Sequence, residues 1–309
     1  MMKLKVTLFG VLTAVSLGLV APYASGQDFD KGVDAYDTGD YAAALQEFRP
    51  LAEQGNASAQ YNLGVMYERG QGVLQDYKEA VKWYQLAAEQ GFADSQYNLG
   101  LMYANGTGIA QDYEEAAKWY QRAAEQGLAP AQYNLGLMYQ NGYGTPLDYE
   151  EAAKWYRVAA EQGDVFAQYN LGVMYYNGKG IPQDYKEAAK WYRLAAEQGY
   201  APAQNSLGVM YDNGQGVPQD YKEAAKWYQL AAERGHSNAQ YNLGLRYANG
   251  TGVLQDYIRA HMWWNIAAVE GNDNARKNRD IVAKNMTPKQ IEKAQTLAKE
   301  CIRKNYKGC

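Results

Sequence analysis

Side chains that commonly carry chemistry are scarce in this chain, with two histidines and two cysteines among 309 residues. His236 stands at the start of a repeated unit and His261 inside a helical stretch. Neither has a second ligand at metal spacing, so both read as structural histidines. No Gly-x-Ser-x-Gly, Walker loop or zincin motif occurs, and nucleophilic, phosphate-binding and zinc-hydrolase chemistry therefore lack their usual frames. Gly-x-Gly pairs are frequent, but no strand precedes them, and without a βαβ setting they do not signal a nucleotide. Carboxylates do recur at fixed spacing: Asp76 with Glu79, then Asp112/Glu115, Asp148/Glu151, Asp184/Glu187 and Asp220/Glu223. That spacing is N-cap and N3 of a helix, a capping box, which gives both acids a structural task. The last copy keeps Asp256 but has Arg259 at N3 and loses the reciprocal bond. Cys301 and Cys309 remain, with seven residues between them. Two cysteines cannot be a disulfide framework, but an oxidising compartment favours their pairing, and Gly308 supplies flexibility for the turn. The alternatives are two free thiols, or one thiol bonded to a partner.

The elements that would position any site are repeated ones. Trp83, Trp119, Trp155, Trp191, Trp227 and Trp263 are each 36 residues apart, and the stretch beginning at Tyr61 returns at Tyr97, Tyr133, Tyr169, Asn205 and Tyr241. A unit of this length cannot bury its own apolar face, so neighbours must stack on it. Each unit reads as two antiparallel helices. Helix A of the first full unit runs from about Ser58 to Glu68 and contains Gly64. A glycine inside a helix costs about 1 kcal/mol relative to alanine. Its return as Gly100, Gly136, Gly172, Gly208 and Gly244 therefore predicts close approach of helix B. Gly70 and Gly72 end helix A and carry the loop, with positive φ expected there. Helix B starts at Asp76 and ends at Gly91, with Tyr77, Ala80, Val81, Tyr84, Ala87 and Ala88 as its apolar stripe. Trp83 lies off the centre of that stripe, which assigns it to the joint between units.

Four segments follow. Lys3 and Lys5 precede an apolar run from Val6 to Val20, and Ala24-Ser25-Gly26 offers a cleavage site, so residues 1–26 read as a signal peptide. The run is too short for the roughly 20 residues that span a bilayer. No other long apolar run follows, so no membrane span is expected after processing, and the expected location is the periplasm or the medium. Residues 28–55 read as a degenerate first helix-turn-helix unit, with Glu47 where the tryptophan would stand. Residues 56–271 hold six 36-residue units. Residues 272–309 read as a pair of capping helices, the second opened by Thr287, Pro288 and Gln290, with Ile291, Ala294, Leu297, Ala298 and Ile302 facing inward. The chain carries 30 basic and 34 acidic side chains; without Lys3 and Lys5 these are 28 and 34, a net charge of −6. An acidic chain with scattered lysines lacks the basic stripe of a nucleic-acid binder.

The pattern Ala59, Leu63, Gly64, Tyr67, Gly70, Gly72, Asp76, Tyr77, Ala80, Ala87, Ala88 and Gly91 resembles that of Sel-one-like repeat proteins, a subclass of the tetratricopeptide-like solenoids. The resemblance implies an all-α, right-handed superhelical solenoid of antiparallel helix pairs, and an adaptor's role. A cysteine-rich branch reported to bind penicillin-like compounds has paired cysteines in each repeat. The repeats here have none, so that activity does not carry over. In the related solenoids helix A lines a concave groove, and its exposed residues meet the ligand. Carried over by register, these positions are Tyr61, Tyr97, Tyr133, Tyr169 and Tyr241, with Arg69 and its counterparts Asn105, Asn141, Asn177, Asn213 and Asn249.

Tyrosine beside asparagine suits peptide recognition, since ring area comes at low entropic cost and amides can bond a backbone. Alternatively, the tyrosines pack between consecutive A helices and the asparagines satisfy loop carbonyls. Residues that serve the stack must repeat, so varying columns are the better specificity candidates: Glu68, Gln140, Tyr176 and Asp212 in one, Phe166 in another. Phe166 and Tyr176 share a unit and are the expected anchor. The function expected is a non-catalytic exported scaffold or adaptor that binds a protein or peptide in the groove, without cofactor or metal. The alternatives are recognition of cell-wall peptidoglycan, and a weak envelope hydrolase.

Overall fold

The structure, a computed structural model, describes residues 28–309, so the signal-peptide assignment at 1–26 lies outside the described residues. A first pair, α1 (Phe29–Asp37) and α2 (Tyr41–Glu53), opens the stack. The full pairs begin with α3 (Ala57–Arg69) and α4 (Tyr77–Glu89), α5 (Ala93–Asn105) and α6 (Tyr113–Glu125), and α7 (Ala129–Asn141) and α8 (Tyr149–Glu161). They continue with α9 (Val165–Asn177) and α10 (Tyr185–Glu197), α11 (Ala201–Asn213) and α12 (Tyr221–Ala232), and α13 (Ser237–Asn249) and α14 (Tyr257–Val269). Last come α15 (Asp273–Ala283) and α16 (Pro288–Arg303). Helix B of each pair packs on helix A of the next, whereas successive A helices touch little. The result is a right-handed all-α solenoid. Among the described residues no helix is long and apolar enough to cross a membrane.

The mid-helix glycines are there for close approach. A Cβ on Gly64 would lie 2.7 Å from the Tyr84 ring, and one on Gly136 would lie 2.8 Å from Tyr156. Gly70 and Gly72 take φ of 67° and 69°, the left-handed region that glycine enters without cost. The tryptophans of the 36-residue series fill joints with the unit before: Trp83 packs against the cluster of Phe48 and Leu51, and Trp155 against that of Ala117 and Tyr120.

The recurrent capping box forms only in half. Asp76 Oδ1 accepts from the backbone N–H groups of Lys78 and Glu79, as an N-cap should. Its own N–H donates to the carbonyl of Tyr67 at 3.0 Å, and the bond recurs from Asp112 to Tyr103 and from Asp148 to Tyr139. Glu79 therefore has no N-cap donor left to accept from, and it pairs forward with Lys82 instead, as Glu115 does with Lys118. Thr287 and Gln290 do form a complete box, with Thr287 N donating to Gln290 Oε1 at 2.8 Å.

The last two helices are not a pair. α15 packs on one side of α14 and α16 on another, and the two share few contacts. The reason lies in α14, which buries Ala260, His261, Met262, Trp263, Trp264, Ile266, Ala267 and Ala268. A helix that is apolar all round needs cover on more than one side. α16 contributes Ala294, Ala298 and Cys301 to its buried face, and Ile302, expected inward, is exposed. Cys301 and Cys309 are joined, with Cα atoms 5.6 Å apart. The tail turns through Asn305 and Tyr306, and the Tyr306 hydroxyl donates to Glu270 Oε1 at 3.1 Å.

Candidate functional site

The tyrosine column on the A helices is half-buried, because each ring leans on helix B of its own unit. Tyr61 meets Tyr84 with ring centroids 6.0 Å apart, Tyr97 meets Tyr120 at 5.9 Å, Tyr133 meets Tyr156 at 5.8 Å, and Tyr169 meets Tyr192 at 5.6 Å. Burial, with a smaller push from the Asp94 carboxylate, raises the Tyr61 phenol to about 12. Burial beside Asp164 does the same to Tyr133, so both stay protonated as donors. Tyr241 differs: its carbonyl accepts from Trp264 Nε1 at 3.0 Å, and its hydroxyl accepts from Asn278.

Two further repeated columns, asparagine and glutamine, hold these rings. Asn134 lies in hydrogen-bond reach of Tyr97 and Tyr120, and Asn170 of Tyr133 and Tyr156, so one unit's asparagine serves two hydroxyls of the unit before. Where Asn205 replaces the tyrosine, Asn242 donates to Asn205 Oδ1 instead, at 3.1 Å. Beside them runs a ladder of buried glutamines. Gln96 Nε2 donates to the Ala88 carbonyl, and its Oε1 accepts from Gln126 at 2.7 Å. The signal was available in the sequence as the recurrence of Gln-Tyr-Asn in every full unit but the fifth, which has Gln204-Asn205-Ser206.

Several expected ligand contacts are already engaged. Glu68 accepts from the Tyr84 hydroxyl at 2.6 Å, Gln140 from Tyr156 at 3.0 Å, and Asp212 from Tyr228 at 2.9 Å. Arg69 reaches the Tyr36 hydroxyl. Asn141 and Asn177 bond back to the carbonyls of Leu137 and Val173, and Asn213 reaches Gln215. Asn105 and Asn249 are exposed at the ends of their helices.

The structure separates Phe166 from Tyr176. Both lie on α9, ten residues and so about 15 Å apart along its axis. Tyr176 faces Tyr185 at 5.2 Å and donates to Gln215 at 3.1 Å. Phe166 instead joins Tyr133 at 5.8 Å and Tyr200 at 5.4 Å, and Tyr200 stands 5.2 Å from Tyr169. This four-ring cluster spans three units, and Phe166 is 39% exposed at it. Asp164, the neighbouring charge, accepts from Ala167 N at 2.7 Å. Tyr200 went unrecognised in the sequence, although a signal existed. It stands at the N-cap of α11, as Phe92 and Leu128 do on α5 and α7, and none makes a side-chain cap bond. Giving up a cap costs about 1 kcal/mol, so an aromatic there is selected for its ring. Phe92 correspondingly lies 5.2 Å from Tyr61.

Among the described residues no group of three His, Cys, Asp or Glu side chains is placed to hold a metal ion. His236 caps α13 by accepting from Ala239 N, and His261 is buried in α14.

Helix pairs stacked with one period and presenting their A helices side by side define a protein-interaction solenoid of the tetratricopeptide type. The Sel1 repeat model matches residues 57–92, 93–128, 129–164, 165–200, 201–236 and 237–272. The chain belongs to the Sel1 repeat family. It is similar to a Sel1 repeat protein of known structure from Oxalobacter formigenes, at 37% identity and a TM-score of 0.68, over 76% of this chain and 94% of that one. It is also similar, at 28% identity and a TM-score of 0.43, to a protective antigen of uropathogenic Escherichia coli strains displaying an SLR fold, over 90% of this chain and 92% of that one. An immunity protein from Pseudomonas aeruginosa is similar at 22% identity and a TM-score of 0.39, over 69% of this chain and 81% of that one. No curated protein sequence matches the chain.

Proposed function

We propose that this chain is a non-catalytic scaffold that holds an extended protein segment on its helix-A face, anchored at Phe166. The observation that carries the reading is the four-ring cluster of Tyr133, Phe166, Tyr169 and Tyr200. It is an aromatic cluster, exposed at Phe166 and half-buried at its three tyrosines, that the stack has brought together from three units. Rigid rings bind with little entropic loss, and hydroxyls at their rims fit backbone groups. With Asp164 occupied by its own helix, the cluster suits an uncharged, apolar side chain of the partner. Most of the tyrosine and variable columns serve the stack, which makes this patch the place where the partner is chosen.

The location that goes with this reading is the periplasm or the medium, supported by Lys3, Lys5, the apolar run and Ala24-Ser25-Gly26. N-terminal sequencing of protein from the envelope fraction should give Gln27 or a near neighbour. Full-length protein in the membrane pellet would refute export.

A photo-crosslinking residue at Phe166, with one at the exposed Leu86 on helix B as control, tests the site in whole cells. A discrete protein adduct from position 166 and none from position 86 is expected. Equal adducts from both positions, or none, would sink the assignment. Treatment with muramidase separates the peptidoglycan reading from this one: adducts that survive it are protein, whereas retention on purified sacculi alone would make the wall the ligand.

A further inference from the structure

Charge is distributed unevenly along the solenoid. Residues 28–55 carry seven acidic side chains against two basic ones, whereas residues 272–309 carry ten basic against four acidic. The repeats between them are acidic as well, with 23 acidic against 16 basic side chains. Among the described residues the only net positive segment is therefore the C-terminal end, and the densest negative one is the first helix pair.

The acidic end is built from positions that elsewhere join units. A Cβ on Gly32 would strike the Phe48 ring as one on Gly64 would strike Tyr84, which sets the two units in register. Asp34 then stands where Met66 stands, and Glu47 where Trp83 stands; Met66 and Trp83 both pack on the unit before them. With no unit before it, the first pair exposes the Asp34 carboxylate there, and that of Glu47 is half-buried and accepts from the Asp28 amide at 2.9 Å. Asp30, Asp34 and Asp37 share one exposed face of α1 and make no ion pair among the described residues. At the other end Lys277, Lys284, Lys289, Lys293, Lys299 and Lys304 are exposed and likewise unpaired. Arg276 and Arg279, by contrast, are neutralised by Asp273 and Asp280.

We infer that the basic surface of α15 and α16 docks the acidic first pair of a second copy of this chain, giving head-to-tail association. The complementarity is between the two ends of one sequence. The acidic repeats, moreover, oppose any approach of the solenoid's length to an anionic surface. Such a contact is heterologous and does not close on itself, so it grows short open chains rather than a two-fold dimer. Asp34 and Glu47 are charged where Met66 and Trp83 are apolar, so the contact is held by charge and yields to salt.

Sedimentation velocity of the protein as recovered from cells tests this. Weight-average mass should rise with concentration at about 0.01 M salt, where charges act over roughly 30 Å, and fall to the monomer at about 1 M, where they act over roughly 3 Å. Lys289→Glu with Lys293→Glu should abolish the rise, and so should Asp34→Lys with Asp37→Lys. Circular dichroism melts like the wild type's would show that both variants fold. The two variants mixed should associate again, since each restores the other's complement. A wild type that is monomeric at both salt concentrations overturns the inference, as does association that survives either charge reversal. Binding of the monomeric chain to phosphatidylglycerol vesicles, lost in the Lys289→Glu, Lys293→Glu variant, would assign the basic end to a membrane instead and equally overturn it.

Discussion

Arg246 Nη1 donates to Asp212 Oδ1 at 3.0 Å, across the joint between the fifth and sixth full units. The side chains are only 15% and 17% exposed. Every earlier full unit has methionine at the arginine's position: Met66, Met102, Met138, Met174 and Met210. One apolar core column thus turns ionic at one joint, and its counter-ion comes from the varying column that also receives the Tyr228 hydroxyl.

Removing one member of such a pair strands the other. Asp212→Ala should destabilise by about 3–5 kcal/mol, while Asp212→Ala with Arg246→Met should return to within about 1 kcal/mol of the wild type, since the methionine restores the column. Denaturant melts of the two variants decide it. A double variant as unstable as the single one would mean that the joint depends on the arginine itself.

Trp155 packs on Ala117 and Tyr120 of the preceding unit and Leu135 of its own, whereas Asp148 caps α8 at the surface. Trp155→Ala should cost about 3–5 kcal/mol through the cavity it leaves, and Asp148→Ala about 0.5–2 kcal/mol. Equal losses in denaturant would show that the joints do not carry the stack.

His261 gives stability a pH dependence. Burial is the main cause that lowers its pKa from the usual 6.5; Arg279 adds to the effect and Asp280 opposes it. Its Nδ1 is buried without a partner. The unfolded chain takes up a proton near the ordinary value while the folded chain resists it. The unfolded state therefore binds more protons, and stability is full above about 6.5 and falls as pH drops below it. His261→Ala, which matches Ala153 and Ala189 in earlier units, should flatten the slope of Tm against pH in that window. An unchanged slope would assign the dependence to other groups.

The bond between Cys301 and Cys309 ties the tail to α16 beneath Tyr306. Protein alkylated without reductant should gain no mass, and reduction should lower stability by about 2–3 kcal/mol, the loop-closure contribution of a short ring. Uptake of two alkyl groups by the unreduced monomer would remove the staple.

The repeat by itself determined the fold. A 36-residue period with Trp83 and its counterparts, Gly64 inside helix A, and Gly70 and Gly72 after it dictates helices, joints and loops. Each of those features acts within one unit or against an identical neighbour. Contacts between unlike residues far apart in sequence were not legible. Glu79 looked like half of a capping box because the Tyr67 carbonyl that takes the Asp76 amide lies nine residues back, in another helix. α16 looked like the partner of α15, although the all-round apolar surface of α14 in fact claims both. Phe166 and Tyr176 looked like one anchor because they share a unit. The rise of α9 parts them, and the stack sets Phe166 beside Tyr200 and Tyr133. A periodic sequence specifies its local geometry many times over, but which ring meets which depends on how one unit is laid against the next, and only the assembled solenoid decides that.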